Sequence, residues 1–205
     1  MYVSDSKIKK AIHVFEEHDG VMRTSEVLNE GIHQRTLYAM RDRGVVNMLE
    51  RGLYRLANKE SMSNPDLLIV AKKIPHARLC LISALYLHNL TDEVPHVVHI
   101  ALARSAWEPQ MEHPPIKTYR FSEESYQAGV EIYRFDGVEI GVYNPAKTIA
   151  DCFKFRNKIG IDVAVKALKE GVSEGKASYK DISHYARICG VSRVMQPYME
   201  VLSIG

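Results

Sequence analysis

The 205-residue chain has no run approaching the about 18 consecutive apolar residues of a membrane-spanning helix. Its opening residues, MYVSDSKIKK, lack the apolar stretch of a secretory leader. A soluble, unexported protein with no membrane partner is therefore expected. Cysteine is scarce. Cys80, Cys152 and Cys189 are odd in number, far apart and set among apolar residues, which argues against a disulfide framework and against a CxxC metal site. A reducing, cytoplasmic compartment fits this usage. Catalytic signatures are also missing: there is no Gly-rich phosphate loop, no GxSxG elbow and no HExxH. Ser83, Ser105 and Cys152 have no base nearby in sequence. The expectation is a protein that is not an enzyme and needs neither cofactor nor metal.

An excess of one charge is missing as well. There are 27 Lys and Arg against 25 Asp and Glu, so whole-chain charge says nothing about nucleic acid. Its distribution says more. Residues 33–55 hold five arginines, Arg35, Arg41, Arg43, Arg51 and Arg55, against Asp42 and Glu50 alone. A short basic stripe at one end of a chain is what a DNA-contacting module needs.

Around that stripe the spacing predicts helices. From Asp5 to His18, Ile8, Ala11, Ile12 and Phe15 recur at helical intervals, with Ser4 or Asp5 as N-cap and Gly20 as a stop. Thr24 or Ser25 caps a short second helix that buries Val27 and Leu28 and ends at Gly31. A third helix spans His33 to Arg43, with Leu37 and Met40 inward and Gly44 as its C-cap. Residues 45–49 and 53–56, joined through Glu50-Arg51-Gly52, predict a hairpin. Three helices and a two-stranded hairpin make a winged helix-turn-helix over residues 1–57, followed by a polar linker over 58–65.

Residues 66–205 predict a larger mixed α+β domain. Helices are expected at 66–74 and 83–90 and strands at 78–81, 96–103, 116–121, 130–135 and 138–142, the last two joined by Asp136-Gly137. From Asn144 the pattern is helical, beginning with Asn144 as cap and Pro145 in the first turn. The predicted fold class is thus α+β, a winged helix-turn-helix and then a mixed domain ending in a helical segment.

In a helix-turn-helix the second helix of the motif enters the major groove. With Leu37 and Met40 inward, the third helix offers His33, Gln34, Arg35, Thr36, Tyr38 and Arg41. Gln34 and Arg35 are the leading base readers, since Gln suits adenine and Arg suits guanine. Arg41 and Arg43 are placed for phosphates. Thr24 and Ser25 at the start of the second helix, and Arg51 and Arg55 on the wing, complete the expected DNA-facing set. His96 and His99 lie three apart in a strand and point to opposite faces, so they are expected to be structural. Lys147, Asp151 and Lys154 read as ordinary charge pairs on a helix surface.

The stretch TSEVLNEGIHQRTLYAMRDRGVV with LERGLYRLA resembles the N-terminal winged helix of the AbiEi antitoxins and related regulators. PHARLCLISALYLHNL and VYNPAKTIADCFKFRNKIGIDVAVKALKEG are similar to two further blocks of that family, and Pro145, Lys147, Thr148 and Asp151 match its Pro-x-(Lys/Arg)-Thr then Asp pattern. The resemblance implies a repressor that binds inverted repeats in double-stranded DNA upstream of its own operon and is the antitoxin of a type IV, abortive-infection system. It also implies a functional partner, a nucleotidyltransferase toxin with which no stable complex is expected, and leaves room for self-association on DNA. Two other readings stay open. A protein-protein adaptor would expose apolar area on the winged helix, and an enzyme would have a concave pocket lined by the segment from Asn144 to Asp151 that holds Lys147, Thr148 and Asp151.

Overall fold

The computed structural model describes residues 3–59 and 64–204 and divides into two compact units. The first comprises Met1–Pro75 with Glu112–Pro114 and Arg134–Glu139. Its elements run α1 (Asp5–Glu17), β1 (Val21–Arg23), α2 (Thr24–Asn29), α3 (Gln34–Asp42), β2 (Val46–Glu50), β3 (Leu53–Leu56) and α4 (Pro65–Lys73). Ser4, in extended backbone, precedes α1, which buries Ile8, Ala11, Val14 and Phe15, while Ile12 is only partly covered. Val27, Ile32, Leu37, Met40, Val46, Tyr54 and Leu56 close the same core.

Two features of this unit differ from the sequence expectation. The hairpin is the larger part of a three-stranded sheet of order β1-β3-β2, in which Val21, Met22 and Arg23 pair antiparallel with Arg55, Tyr54 and Leu53. Three residues are too short to show a two-residue period, so β1 is invisible without its partner strand. The boundary also moves. Helix α4 packs on β1 and β3 and buries Leu68, Ile69, Val70 and Ala71, so the division falls after Pro75 and not at the expected linker. Of that expected linker, residues 60–63 lie outside the described residues.

The second unit comprises His76–Met111, Pro115–Tyr133 and Ile140–Gly205. It contains β4 (Arg78–Leu79), α5 (Leu81–Leu87), β5 (Val98–Ala103), β6 (Ile116–Phe121), α6 (Glu123–Gln127) and the larger parts of β7 (Val130–Phe135) and β8 (Val138–Tyr143), whose facing ends and joining turn fall in the first unit. The closing helices are α7 (Pro145–Lys154), α8 (Arg156–Ile159), α9 (Ile161–Ser173), α10 (Tyr179–Cys189) and α11 (Ser192–Ile204). The strands form a mixed sheet of order β6-β5-β4-β8-β7, with β5 parallel to β6, β4 antiparallel to β5 and β4 parallel to β8. Asp136 and Gly137 both have positive φ, 48° and 83°, as the tight turn between β7 and β8 requires.

Aromatic rings join the sheet to the helices. Phe121 lies 5.5 Å from Tyr143 and 5.2 Å from Phe155, centroid to centroid, and Tyr119 lies 5.0 Å from Phe155. Helix α7 is wrapped by α5, α9, α10 and α11. A helix covered on several sides has no solvated face on which to place its polar residues.

His99 illustrates the consequence for ionisation. Its ring stacks on Tyr119 at 5.5 Å, the Tyr119 hydroxyl lies 3.0 Å from Nδ1, and its backbone N–H donates to the Ser83 hydroxyl. His96 is exposed and precedes β5, so the expected strand runs two residues shorter and, of the two, only His99 is a buried, structural histidine. Burial, reinforced by Lys117, pushes the His99 imidazole from 6.5 down to about 4. His88, whose Nε2 lies 2.7 Å from the Tyr143 carbonyl, is also lowered by burial. A group with a depressed folded pKa stabilises the fold above its unfolded pKa and loses that contribution as pH falls towards the folded value. The thermal midpoint should therefore drop between pH 6.5 and about 4. His99→Phe, which keeps the stack and removes the titration, should flatten that drop in a pH series of melting curves. An equal drop in both proteins would clear His99 of the effect.

Candidate nucleic-acid interface

Helices α2 and α3 meet across Glu30 to His33, where Ile32 enters the core and its N–H donates to the Val27 carbonyl at 3.2 Å. The start of α2 differs from expectation. Arg23 is the N-cap, and its N–H donates to the Glu26 carboxylate at 2.6 Å. Thr24 instead ties α2 to the wing, its N–H and hydroxyl both donating to the Gly52 carbonyl, at 2.9 and 3.4 Å. Ser25 is exposed, and so is Leu28, which the spacing had put inside.

His33 caps α3 by accepting the Arg35 N–H on Nδ1 at 3.1 Å. Leu37 and Met40 are fully buried and set the rotation of the helix. Thr36 is buried with them, 6% exposed, and is corrected from the DNA-facing set. At 3.6 residues per turn Thr36 lies about 40° from Met40, on the covered side of the helix, and about 160° around the axis from Tyr38. Gln34, Arg35, Tyr38 and Arg41 are exposed on the opposite face.

That face is already organised. Gln34 Nε2 donates to the Tyr38 hydroxyl at 2.6 Å, the Arg41 guanidinium lies over the Tyr38 ring at 5.0 Å, and Arg41 donates twice to Asp42. Asp42 holds the Arg41 guanidinium above its ordinary pKa. Arg43 binds Asp5 at 2.8 Å and the Val3 carbonyl at 2.9 Å, which fastens the end of α3 to the start of α1. Both arginines assigned to phosphates are thus engaged within the protein.

The wing is held at its base. Lys73 of α4 donates to the Arg51 carbonyl and pairs with the Glu50 carboxylate, and Lys72 pairs with Glu26 at 3.9 Å. Arg51 is exposed and Arg55 half-buried. A bulge between Met48 and Glu50 breaks the in-out alternation of β2, leaving Asn47 and Met48 exposed, the latter by 54%. Sequence reasoning missed these two, because a bulge is set by the pairing with β3 and carries no local signature.

The second group of singled-out residues is of another kind. Lys147 and Asp151 are completely buried, Nζ to Oδ2 at 2.5 Å, which corrects their reading as surface pairs. Nζ also lies 4.0 Å from the Tyr143 ring and 4.8 Å from the Phe121 ring, and the Cys189 thiol donates to Asp151 Oδ1 at 3.2 Å. Burial pushes the Asp151 carboxyl up, with Lys147 opposing it, and pushes the Cys189 thiol up to about 12. Thr148, also fully buried, donates to the Tyr143 carbonyl at 2.9 Å. Gly129, at φ 71°, makes room: a Cβ there would stand 2.8 Å from Lys147 Cβ and 3.0 Å from the Tyr185 ring. A pocket of about 270 Å³ is lined by Asn144, Pro145 and Ala146 together with Glu131, Asp181 and His184. Lys147, Thr148 and Asp151 are fully buried and do not line it. Among the described residues no group of three His, Cys, Asp or Glu side chains is placed to hold a metal.

The first unit is therefore a winged helix-turn-helix, with a polar, partly basic outer face on α3 and a short, braced wing. Residues 9–57 match the family model described as "Transcriptional regulator, AbiEi antitoxin", which supports the resemblance seen in the sequence. The match ends with β3. No curated protein matches the chain. The crystal structure of the RV2827C protein from Mycobacterium tuberculosis is similar over 98% of this chain and 83% of its own, with a TM-score of 0.56 and 12% identity, a likeness of fold.

Two outcomes follow from these contacts. Lys73→Ala should speed amide hydrogen exchange at residues 50–52 of the full chain while leaving α1 protected, and unchanged exchange there would mean that α4 does not brace the wing. Lys147→Met should destabilise the protein by about 3–5 kcal/mol by stranding a buried carboxylate, whereas Lys147→Met with Asp151→Leu should recover most of the loss. Denaturant unfolding measures both, and a double variant no more stable than the single one would show that the pair does more than neutralise itself.

Proposed function

We propose that the chain binds double-stranded DNA through α3 and the wing and regulates transcription of its own operon. The observation that carries this reading is the outward face of α3, where Gln34, Arg35, Tyr38 and Arg41 stand opposite Leu37 and Met40 beside a wing bearing Arg51. Gln34 and Arg35 in the first turn are suited to base edges, and Arg51 to phosphate. Arg41 and Arg43 are paired with Asp42 and Asp5, which partly neutralise them, so their net contribution to phosphate binding is smaller than that of an unengaged cation. Thr24 and Ser25 border the backbone, and Arg55 supports the wing.

The AbiEi match over residues 9–57 supports an antitoxin role in general; a nucleotidyltransferase toxin as functional partner, with the second unit as the seat of the antitoxin action, is our proposal. The enzyme reading loses its chemistry here, because Lys147, Thr148 and Asp151 are fully buried in a satisfied network. The adaptor has less behind it: among the described residues of the winged helix, the large apolar side chains exposed are Leu28, Tyr38 and Met48.

Affinity for the duplex immediately upstream of the coding region, measured against a random duplex over a salt series, tests the reading. The upstream duplex should bind more tightly, and Arg51→Ala should lower the salt slope by about one unit on both. Equal affinity for the two duplexes at every salt concentration would remove sequence-specific binding. Co-expression with the neighbouring reading frame tests the antitoxin role separately.

A further inference from the structure

The middle of the outward face of α3 is neither Gln34 nor Arg35. At about 100° per residue, Tyr38 lies about 40° from Gln34, 60° from both Arg35 and Arg41, and 40° from Asp42. It also lies about 160° from the buried Met40, as does Asp42, so these two positions are turned away from the core. A tyrosine there needs its ring held if its hydroxyl is to act at a fixed point, and two neighbours hold it. Gln34 Nε2 donates to the hydroxyl oxygen, and the Arg41 guanidinium, itself anchored on Asp42, covers one ring face.

The direction of the Gln34 bond decides what this group can read. A phenol has one proton to give. Because the oxygen already accepts from Gln34, that proton points away from Gln34, and Gln34 Oε1 is left as an acceptor beside it. A donor next to an acceptor matches the major-groove edge of adenine, which offers the N7 acceptor beside the N6 amino donor. Guanine presents two acceptors and cytosine a lone donor, and thymine sets a methyl beside its O4.

We propose that Tyr38 is the central specificity determinant of the interface, donating its hydroxyl proton to N7 of one adenine while Gln34 Oε1 accepts from N6 of the same base. Arg41 is a positioning residue that keeps the ring upright. The proposal rests on the DNA-binding reading above. It moves the focus of recognition from the first turn of α3 to its second, and it reassigns Arg41 from the phosphates to the tyrosine.

The full chain tests it, with Tyr38→Phe as the variant, since Tyr38 is 39% exposed and the ring is retained. Tyr38→Phe should bind the upstream duplex about 5- to 100-fold more weakly and the random duplex equally well, the range expected for loss of one base-specific contact. Adenines of the upstream duplex are then replaced one at a time by 7-deazaadenine, which lacks the N7 acceptor. One such duplex should cost the wild-type chain the same factor and cost Tyr38→Phe nothing further. Arg41→Ala should weaken upstream binding in the chain with Tyr38 and have less effect in Tyr38→Phe, a coupling that a phosphate contact would not show.

If the wild-type chain prefers its upstream duplex and Tyr38→Phe keeps that preference in full, Tyr38 is no base reader and the DNA-binding reading survives without it. The same holds if Tyr38→Phe is weakened but no 7-deazaadenine position is silent in it, which removes adenine N7 as the acceptor. If the wild-type chain shows no preference, sequence-specific binding falls and the Tyr38 proposal falls with it.

Discussion

The rotation of α3 about its own axis is the constraint on which the interface depends. Leu37 and Met40 are wholly excluded from solvent and lock into a core formed by Ile8, Ala11, Phe15, Val27 and Val46. A helix of nine residues has little intrinsic stability in water, so burial of this stripe is what keeps α3 folded and aimed. Everything outward follows from the same phase. Thr36 is drawn inside, Tyr38 is carried to the crest, and Gln34 and Arg41 fall one turn to either side of it, close enough to hold its ring.

The bracing of the wing is a second dependence, and part of it comes from outside the sequence span that defines the motif. Gly52 is held by Thr24, and Arg51 and Glu50 by Lys73 of α4. A hairpin of this length has few contacts of its own, so its tip is pre-organised by side chains from α2 and α4. The functional unit is accordingly larger than three helices and a hairpin. In the second unit the equivalent centre is α7, where Lys147 and Asp151 are desolvated together and enclosed by Tyr143, Phe121 and Cys189. Such a pair adds little net stability over apolar residues, but each partner makes the other obligatory.

Several elements were legible because their causes are local. The period of α1, the helix-Gly-helix order of α2 and α3, the Asp136-Gly137 turn and the Asn144-Pro145 start of α7 each depend on residues a few positions apart. The structure has them within a residue or two. Strand β1 and helix α6 were not legible, being three and five residues long. Leu28 was misjudged because a six-residue helix packs only its Val27 side. The charges on α7 were misjudged for a further reason. An i, i+4 Lys–Asp pair reads the same on a surface helix and on a helix enclosed by four others.

Composition, spacing and turn chemistry by themselves thus determined that the chain begins with a winged helix-turn-helix, that a mixed α+β unit follows, and that the polar face of α3 is the candidate contact surface. These properties are encoded in side-chain periodicity and in backbone preferences that act within a few residues. Tertiary structure alone decided that α4 belongs with the first unit, that Arg41 and Arg43 are engaged by Asp42 and Asp5, that Lys147 and Asp151 are interior, and that Gln34 and Arg41 hold Tyr38 in place. The reason is the same in each case. Which side of an element is covered, and which cation meets which anion, is fixed by packing partners distant in sequence or by rotamers chosen only once the helix is locked against its core.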